Sequence, residues 1–223
     1  MQAALSFAQL GSRVVLVEAG EELGGQLLPA QIPPGKSVIK RLQQYLINEI
    51  KAASIEVRLQ TELSNGLLRE INPDVLVLAT GSQPIIPAYE DIKSIYSAAE
   101  VLQNEIKWHN QRVIIVGGGA TGCETADFLS ENNQVIVVEK AKAVATDMEN
   151  MSRLELLARL KQRKVKICKM TVLESVDNQM VTLRHLDKEE TVSYPYDHVV
   201  FAVGNHPVVP ELDKEVLPDQ VFV

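Results

Sequence analysis

The sequence predicts an α/β protein built on parallel strands, and three observations carry that expectation. Apolar runs rich in Val, Ile and Leu recur at Val14–Val17, Val75–Leu78, Val113–Val116, Val135–Val138 and Val199–Val203. They are continuous rather than alternating, which suits strands covered on both faces, as in a parallel sheet between helices. Helical periodicity fills several of the intervals, and strands alternating with helices define the α/β class. Third, shifting the chain by 121 residues lays Phe7 on Phe128, Val14–Val17 on Val135–Val138 and Glu18 on Glu139. Two copies of one helix–strand unit are therefore expected.

The same shift places Met1 on Gly122, so the strand and glycine loop that open the second copy have no counterpart ahead of Glu18. Further along, Pro33, Pro34 and Gly35 punctuate the start of a helix expected from Ser37 to Ala53. Its Ile39, Leu42, Leu46 and Ile50 fall on one stripe. Met151, Leu154, Leu157 and Leu160 predict a second amphipathic helix from Asn150 to Arg163. Between Val165 and Tyr196 the texture changes to short β-prone pieces: Val165–Cys168, Thr171–Val176, Met180–Leu186 and Thr191–Tyr194. Separated by polar turns such as Asp177-Asn178, they read as a small antiparallel meander. Val199–Val203 then returns the chain to the parallel sheet.

Bulk composition narrows the function. The 223 residues are 46% hydrophobic and 23% charged, ordinary for a globular protein. No apolar run approaches the ~18 residues of a membrane span and no secretion signal is visible, so a cytoplasmic location is expected and a membrane partner is not. A net charge of −7 argues against nucleic acid as a partner, since phosphate binders present basic surfaces. The two cysteines, Cys123 and Cys168, form no C-x-x-C pair, which removes a dithiol redox centre and fits a reducing compartment. His109, His185, His198 and His206 lack metal-ligand spacing, so no metal site is expected.

The strongest motif is the strand Arg112–Val116 followed by Gly117-Gly118-Gly119-Ala120-Thr121-Gly122. A G-x-G-x-x-G alone is equally well a plain turn. Here the strand precedes it, a helix and second strand follow, and an acid, Glu139, stands 22 residues beyond Gly117. Gly117 permits the tight turn, Gly119 lets backbone approach a pyrophosphate, and Gly122 allows the helix to pack closely on the strand. The helix N-terminus offers free N–H groups and partial positive charge to the phosphates. Glu139 is suited to accept from a ribose 2′-hydroxyl and to repel a 2′-phosphate, favouring NAD over NADP, although Lys140 blurs the preference. Glu18 ends the matching strand of the first copy and is the candidate ribose acid of a second dinucleotide. Gly24 and Gly25, before Gln26, form a pair where backbone can lie close to a cofactor. Cys123 follows the loop directly, but with no partner cysteine or nearby histidine in view it reads as a small packing residue.

From Glu18 through Leu23-Gly24-Gly25-Gln26-Leu27 to Ala30-Gln-Ile-Pro-Pro-Gly-Lys36, the sequence resembles the C-terminal nucleotide-binding region of NADH:flavin oxidoreductases related to 2,4-dienoyl-CoA reductase, 2-enoate reductase and trimethylamine dehydrogenase. Val75–Leu78 with Ala79-Thr80-Gly81 is similar to the turn by which the wider two-dinucleotide reductase superfamily passes flavin, and Phe201-Ala-Val-Gly204 to its counterpart at the exit of the NAD domain. The resemblance implies a Rossmann-like fold with two dinucleotide-binding lobes: an inserted NAD-binding domain at 96–204 and a discontinuous, partial FAD-binding lobe at 1–95 and 205–223. It implies NAD contacts at Gly117, Gly118, Gly119, Thr121, Gly122, Glu139 and Gly204, and flavin contacts at Glu18, Gly24, Gly25, Gln26, Ala79, Thr80 and Gly81. NADH would deliver hydride to FAD, and electrons would pass on to a separate barrel carrying FMN and an iron–sulfur cluster, with no acid or base catalyst required here. The first glycine fingerprint of the flavin lobe is not in the sequence, nor is a late Gly-Asp flavin contact. FAD binding by this chain is therefore expected to be weak or absent, with self-association through the exposed lobe. A non-catalytic dinucleotide-binding fragment or sensor is the alternative; a disulfide reductase is disfavoured by the lack of C-x-x-C.

Overall fold

The computed structural model describes residues 1–88, 92, 94–177, 179–188 and 190–223. In chain order the elements are α1 (Gln2–Gln9), β1 (Val15–Val17), α2 (Leu27–Ala30), α3 (Ser37–Ala52), β2 (Glu56–Arg58), α4 (Asn65–Ile71), β3 (Val75–Val77) and β4 (Ser82–Pro84). There follow β5 (Ile95–Ser97), α5 (Ala98–Gln103), β6 (Arg112–Val116), α6 (Ala120–Leu129), β7 (Gln134–Val138), α7 (Asn150–Gln162) and β8 (Lys166–Cys168). The chain closes with β9 (Thr171–Val176), β10 (Met180–His185), β11 (Thr191–Pro195), β12 (His198–Phe201), β13 (Asn205–Pro207), a 3-10 turn (Lys214–Val216) and β14 (Gln220–Phe222). This is an α/β protein with a parallel sheet and a separate antiparallel one. It divides into one unit of Met1–Gln31, Ser37–Gln83 and Pro207–Val223, and another of Ile32–Lys36 and Pro84–His206. Among the described residues no helix is long and apolar enough to cross a membrane.

The second unit is organised by a five-stranded parallel sheet in the order β5-β12-β6-β7-β8. Its continuous apolar runs are explained by cover on both faces. Along β6, Val113 and Ile115 enter one core with Cys123, Ala126, Leu156 and Leu160 from α6 and α7. Ile114, pointing the other way, enters a second core with Val181 and Leu183 of the antiparallel sheet and with Tyr196 just after β11. Each such fully buried aliphatic side chain contributes roughly 1.5–3 kcal/mol. Asp127 on α6, buried, receives Arg159 Nε at 2.8 Å and lies 3.4 Å from Arg163 Nη1, tying α6 to α7. Removing either cation partly strands a buried charge, a costly change.

The antiparallel sheet has the order β11-β10-β9, with a bulge between Thr182 and Leu183. Val165–Cys168 was expected in the meander, yet β8 pairs in parallel with β7, Ile136 opposite Lys166, and forms the edge of the parallel sheet. A three-residue strand carries too little pattern to tell the two partners apart. Of the expected Asp177-Asn178 turn, Asn178 lies outside the described residues; the Asp177 carboxylate accepts from the amides of Gln179 and Met180 at 2.8 Å.

The first unit is built differently. Among the described residues β1 pairs only with β2, and β3 only with β14, each pair parallel. Val15, Val75 and Ile115 therefore lie in three separate sheets. α1 and α3 close the core of this unit through Ala4, Leu5, Leu46 and Ile50, with Leu23. β1 was expected to be covered on both faces but is half-buried, and Val77 on β3 is 40% exposed. Two-stranded pieces leave an open edge and too little sheet to bury both faces. The helical stripes are also narrower than expected. Leu42 on α3 and Met151 and Leu154 on α7 are exposed, whereas Leu156, off the expected α7 stripe, is buried.

An aromatic stack at the start of β12 sets a pH dependence of stability. His198 lies face to face with Trp108, centroids 3.8 Å apart and planes at 10°, while Tyr96 meets both rings edge-on. Its Nδ1 is buried without a partner, and burial lowers the His198 pKa from its ordinary 6.5 against the opposing pull of Asp197. The unfolded chain therefore binds a proton that the folded chain refuses, so stability falls as pH drops below 6.5. Melting curves between pH 7.5 and about 5.5 should show a falling Tm. His198→Phe, which keeps the stack, should flatten that slope; an unchanged slope removes His198 as its source.

Candidate functional site

In the second unit the candidate residues converge at the C-terminal ends of β6, β7 and β12. Gly117 has φ +104°, and a Cβ there would lie 2.3 Å from the Ala202 carbonyl oxygen. Only glycine satisfies both conditions, so the loop turns flush against the Ala202–Gly204 turn. At Gly122 a Cβ would come within 1.9 Å of the Gly117 carbonyl oxygen, so its absence lets α6 start directly over the loop. Gly119 is different: extended backbone with φ −69° and ψ −174°, where a Cβ would meet nothing closer than the Asp147 carboxylate at 3.4 Å. The open side of the loop faces outward there. Thr121, exposed, uses its carbonyl to receive the Thr125 hydroxyl at 2.8 Å.

Glu139 ends β7 with its carboxylate already oriented. One oxygen accepts from the Gly118 amide at 2.6 Å and the other from the Ala141 amide at 2.7 Å. Each oxygen keeps further acceptor capacity for a ribose hydroxyl. Lys140 next to it is exposed. Cys123 is buried, 3.4 Å from the Gly118 carbonyl. Burial, then Asp147, Glu139 and Glu124, push its thiol up to about 12, with Arg153 opposing, so it stays protonated and packs.

Two residues of this neighbourhood escaped the sequence reading. Glu124, one turn into α6, pairs with Lys36, both side chains largely buried. Asp147 accepts at the Ala120 amide with both oxygens, 2.9 and 3.1 Å. Lys36 is 88 positions from Glu124 and Asp147 lies in a loop without pattern, so no local signal marks either.

In the first unit, Glu18 ends β1 and accepts from the Gly20 amide at 2.8 Å, as Glu139 does from Ala141. The likeness continues beyond the 121-residue repeat. The Glu18 amide donates to Arg58 O, and the amides of Thr61 and Gln60 return to Glu18 O and Gly20 O; Glu139 with Cys168, Thr171, Met170 and Ala141 forms the same three bonds. Gln60 and Met170 share left-handed φ values of +49° and +48°. Farther on, Gly24 has φ +151° and a Cβ there would lie 2.7 Å from Gln43 Nε2, which donates at 2.8 Å to the Leu23 carbonyl. Gly25 has φ +51° with open space around it. Gln26 Nε2 reaches the Ser82 carbonyl at 3.5 Å, bringing this segment beside Ala79-Thr80-Gly81. That turn is fixed by Thr80 Oγ1 donating to Val208 O and by the Val208 amide donating to Gly81 O. Gln31 Oε1 is buried with no protein partner.

These features test the fit of two nucleotides. The loop of the second unit offers an outward-facing, Cβ-free turn at a helix N-terminus with an acid at the neighbouring strand end, which fits a dinucleotide. The first unit offers the ribose-side acid, a glycine pair and an orphaned acceptor at Gln31, a partial fit, without a glycine loop. Among the described residues no group of three or more His, Cys, Asp and Glu side chains is placed to hold a metal ion.

The chain belongs to the pyridine nucleotide-disulphide oxidoreductase family, whose pattern matches residues 1–218, and NAD(H) and FAD are the cofactors that this membership indicates. It is 33% identical to an NADH oxidase of Thermoanaerobacter brockii over 96% of its own length, and 34% identical to a bilirubin reductase of Mediterraneibacter gnavus over 99%. It spans 34% of the length of each. The solved structure of a 2-naphthoyl-CoA reductase superposes with a TM-score of 0.84 at 24% identity, over 92% of this chain and 31% of that one.

Proposed function

We propose that this chain is the nucleotide-binding region of an NADH-dependent flavin oxidoreductase, with NADH held at Gly117–Gly122 and Gly204 and its adenosine ribose on Glu139. The observation that carries this reading is the join of β6 and β7: a turn only glycine can make, and a carboxylate fixed by Gly118 and Ala141 at the neighbouring strand end. The NAD domain corresponds to 96–204. The flavin lobe corresponds to 1–95 and 205–223, where Glu18, Gly24, Gly25, Gln26 and Ala79-Thr80-Gly81 face the second nucleotide. Bound flavin supplies the hydride acceptor and the onward electron carrier; the protein supplies orientation, close backbone approach and charge. The segment Leu23–Lys36 and relatives about three times as long as this chain support membership in the branch that joins such a region to an FMN and iron–sulfur barrel.

NADH is expected to bind more tightly than NADPH, by roughly tenfold to a hundredfold, the value of about 1.5–3 kcal/mol for hydrogen bonds to a charged group. A 2′-phosphate against Glu139 loses those bonds and adds like-charge repulsion. Dissociation constants measured at one ionic strength check this, because exposed charges are screened. Glu139→Ala should bring the two affinities together; an unchanged ratio takes Glu139 out of the ribose site. The separation of β1 from β3 favours a second reading, a dinucleotide-binding module without turnover. Adding FAD and then NADH to a version extended at its N-terminus by a strand and glycine loop separates the two: bleaching of the flavin band by NADH supports the oxidoreductase, and NADH binding without any flavin uptake supports the module.

A further inference from the structure

We propose that Asp147 competes with a pyrophosphate for the first free amide of α6, and that a bound dinucleotide must displace it. The inference rests on the reading of Gly117–Gly122 as a dinucleotide site and adds a residue that sets its affinity. The Ala120 amide is the N-terminal donor that a phosphate seeks. Both Asp147 oxygens sit on it, at 2.9 and 3.1 Å, and they are the atoms nearest the open side of Gly119. A carboxylate on a helix N-terminus is the side-chain equivalent of a bound anion.

The surrounding loop holds the carboxylate there without burying it. Ala145, buried and left-handed at φ +52°, donates its amide to the Gly118 carbonyl at 2.7 Å. Val144 packs over Gly118 and its carbonyl receives Arg153 Nε at 2.9 Å. Two residues farther on, Asp147 is exposed, so its side chain can swing to solvent while the loop stays in place. The local field opposes an incoming anion: Asp147, Glu139 and Glu124 all raise the Cys123 thiol, with Arg153 opposing them and Lys36 paired to Glu124. Displacing Asp147 removes one of those charges from the path of the phosphates. The same contact, re-formed as the nucleotide leaves, assists release.

The test compares wild type, Asp147→Asn and Asp147→Ala for NADH dissociation constant and Tm, at one ionic strength, with inorganic pyrophosphate as competitor. Both variants are expected to bind NADH about fivefold to tenfold more tightly, the scale of one charge-assisted contact exchanged for another. Pyrophosphate should gain by a similar factor, because the effect is located at the phosphates. A purely structural cap predicts the reverse: wild-type affinity in Asp147→Asn, and weaker binding with a lower Tm in Asp147→Ala. Either that pattern or unchanged affinity in both variants overturns the proposal while leaving the nucleotide site standing. Failure of wild type and both variants to bind NADH overturns the site itself, and the proposal with it. Should a variant not fold, a structure of the wild-type NADH complex decides: the proposal requires Asp147 to have left the Ala120 amide, and a retained contact refutes it.

Discussion

Gly117→Ala is expected to abolish measurable NADH binding and to cost roughly 3 kcal/mol of stability, whereas Gly119→Ala should keep its melting temperature and lose binding tenfold or more. The two glycines sit two residues apart in one motif and carry different burdens. At Gly117 an added methyl meets a backbone carbonyl at 2.3 Å while the residue is held at φ +104°, so strain and overlap both act, and neither neighbour is a flexible side chain. At Gly119 the backbone is extended and the methyl touches only the Asp147 carboxylate. That methyl projects into the side from which a pyrophosphate must approach the amides. Thermal melts with NADH titrations measured by fluorescence separate the effects. Gly119→Ala binding NADH like wild type would show that the cofactor phosphates do not lie over Gly119; Gly117→Ala melting like wild type would show that the loop relaxes in a way these contacts do not allow.

Much of this site was legible because its determinants are local. Gly117–Gly122 and Glu139 belong to one continuous strand–loop–helix–strand stretch, and the φ values and close approaches that demand glycine lie inside it. The unread parts depend on distance or on shared partners. Lys36 and Glu124 meet across 88 positions, and Gln43 supports the Leu23-Gly24 turn from another helix. β8 was misplaced because three residues fit a parallel edge as well as a meander. The internal repeat was visible only from Phe7 to Glu18, although the structure extends it to the strands beyond. From Glu18 to Arg58 the chain takes 40 residues, and from Glu139 to Cys168 it takes 29, so no single shift aligns both strands. Matching hydrogen bonds at Glu18 and Glu139 survive that difference because they are set by the parallel register of each strand pair, not by the connection.

That repeat carries the last expectation, which concerns these 223 residues taken by themselves and not the protein they belong to: they should bind FAD weakly or not at all, and should self-associate through the first unit. In the second unit β6 lies between β12 and β7 and leads into the glycine loop. In the first unit β3 corresponds to β12, each leading into a glycine of positive φ at Gly81 and Gly204, and β1 corresponds to β7. No described strand joins β1 to β3, and among the described residues only Met1 precedes α1. Glu18, Gly24, Gly25 and Gln26 then offer contacts to the ribose side of a flavin nucleotide, but the amides for its pyrophosphate are lacking. Each charge-assisted hydrogen bond is valued at about 1.5–3 kcal/mol, so the loss of two weakens binding by about a hundredfold or more. The edges of β1 and β3 that have no partner among the described residues, with Val77 of β3 exposed, are open to pairing with another copy. FAD titration followed by flavin fluorescence, with size-exclusion chromatography across concentration, tests both parts. A version extended at its N-terminus by a strand and glycine loop of the Arg112–Gly119 kind should gain flavin and become monomeric. Stoichiometric FAD in the unextended chain would mean that the glycine pair and the Ala79–Gly81 turn hold the flavin without a phosphate cradle, and the correspondence between the two units would then fail at the point where it matters most for chemistry.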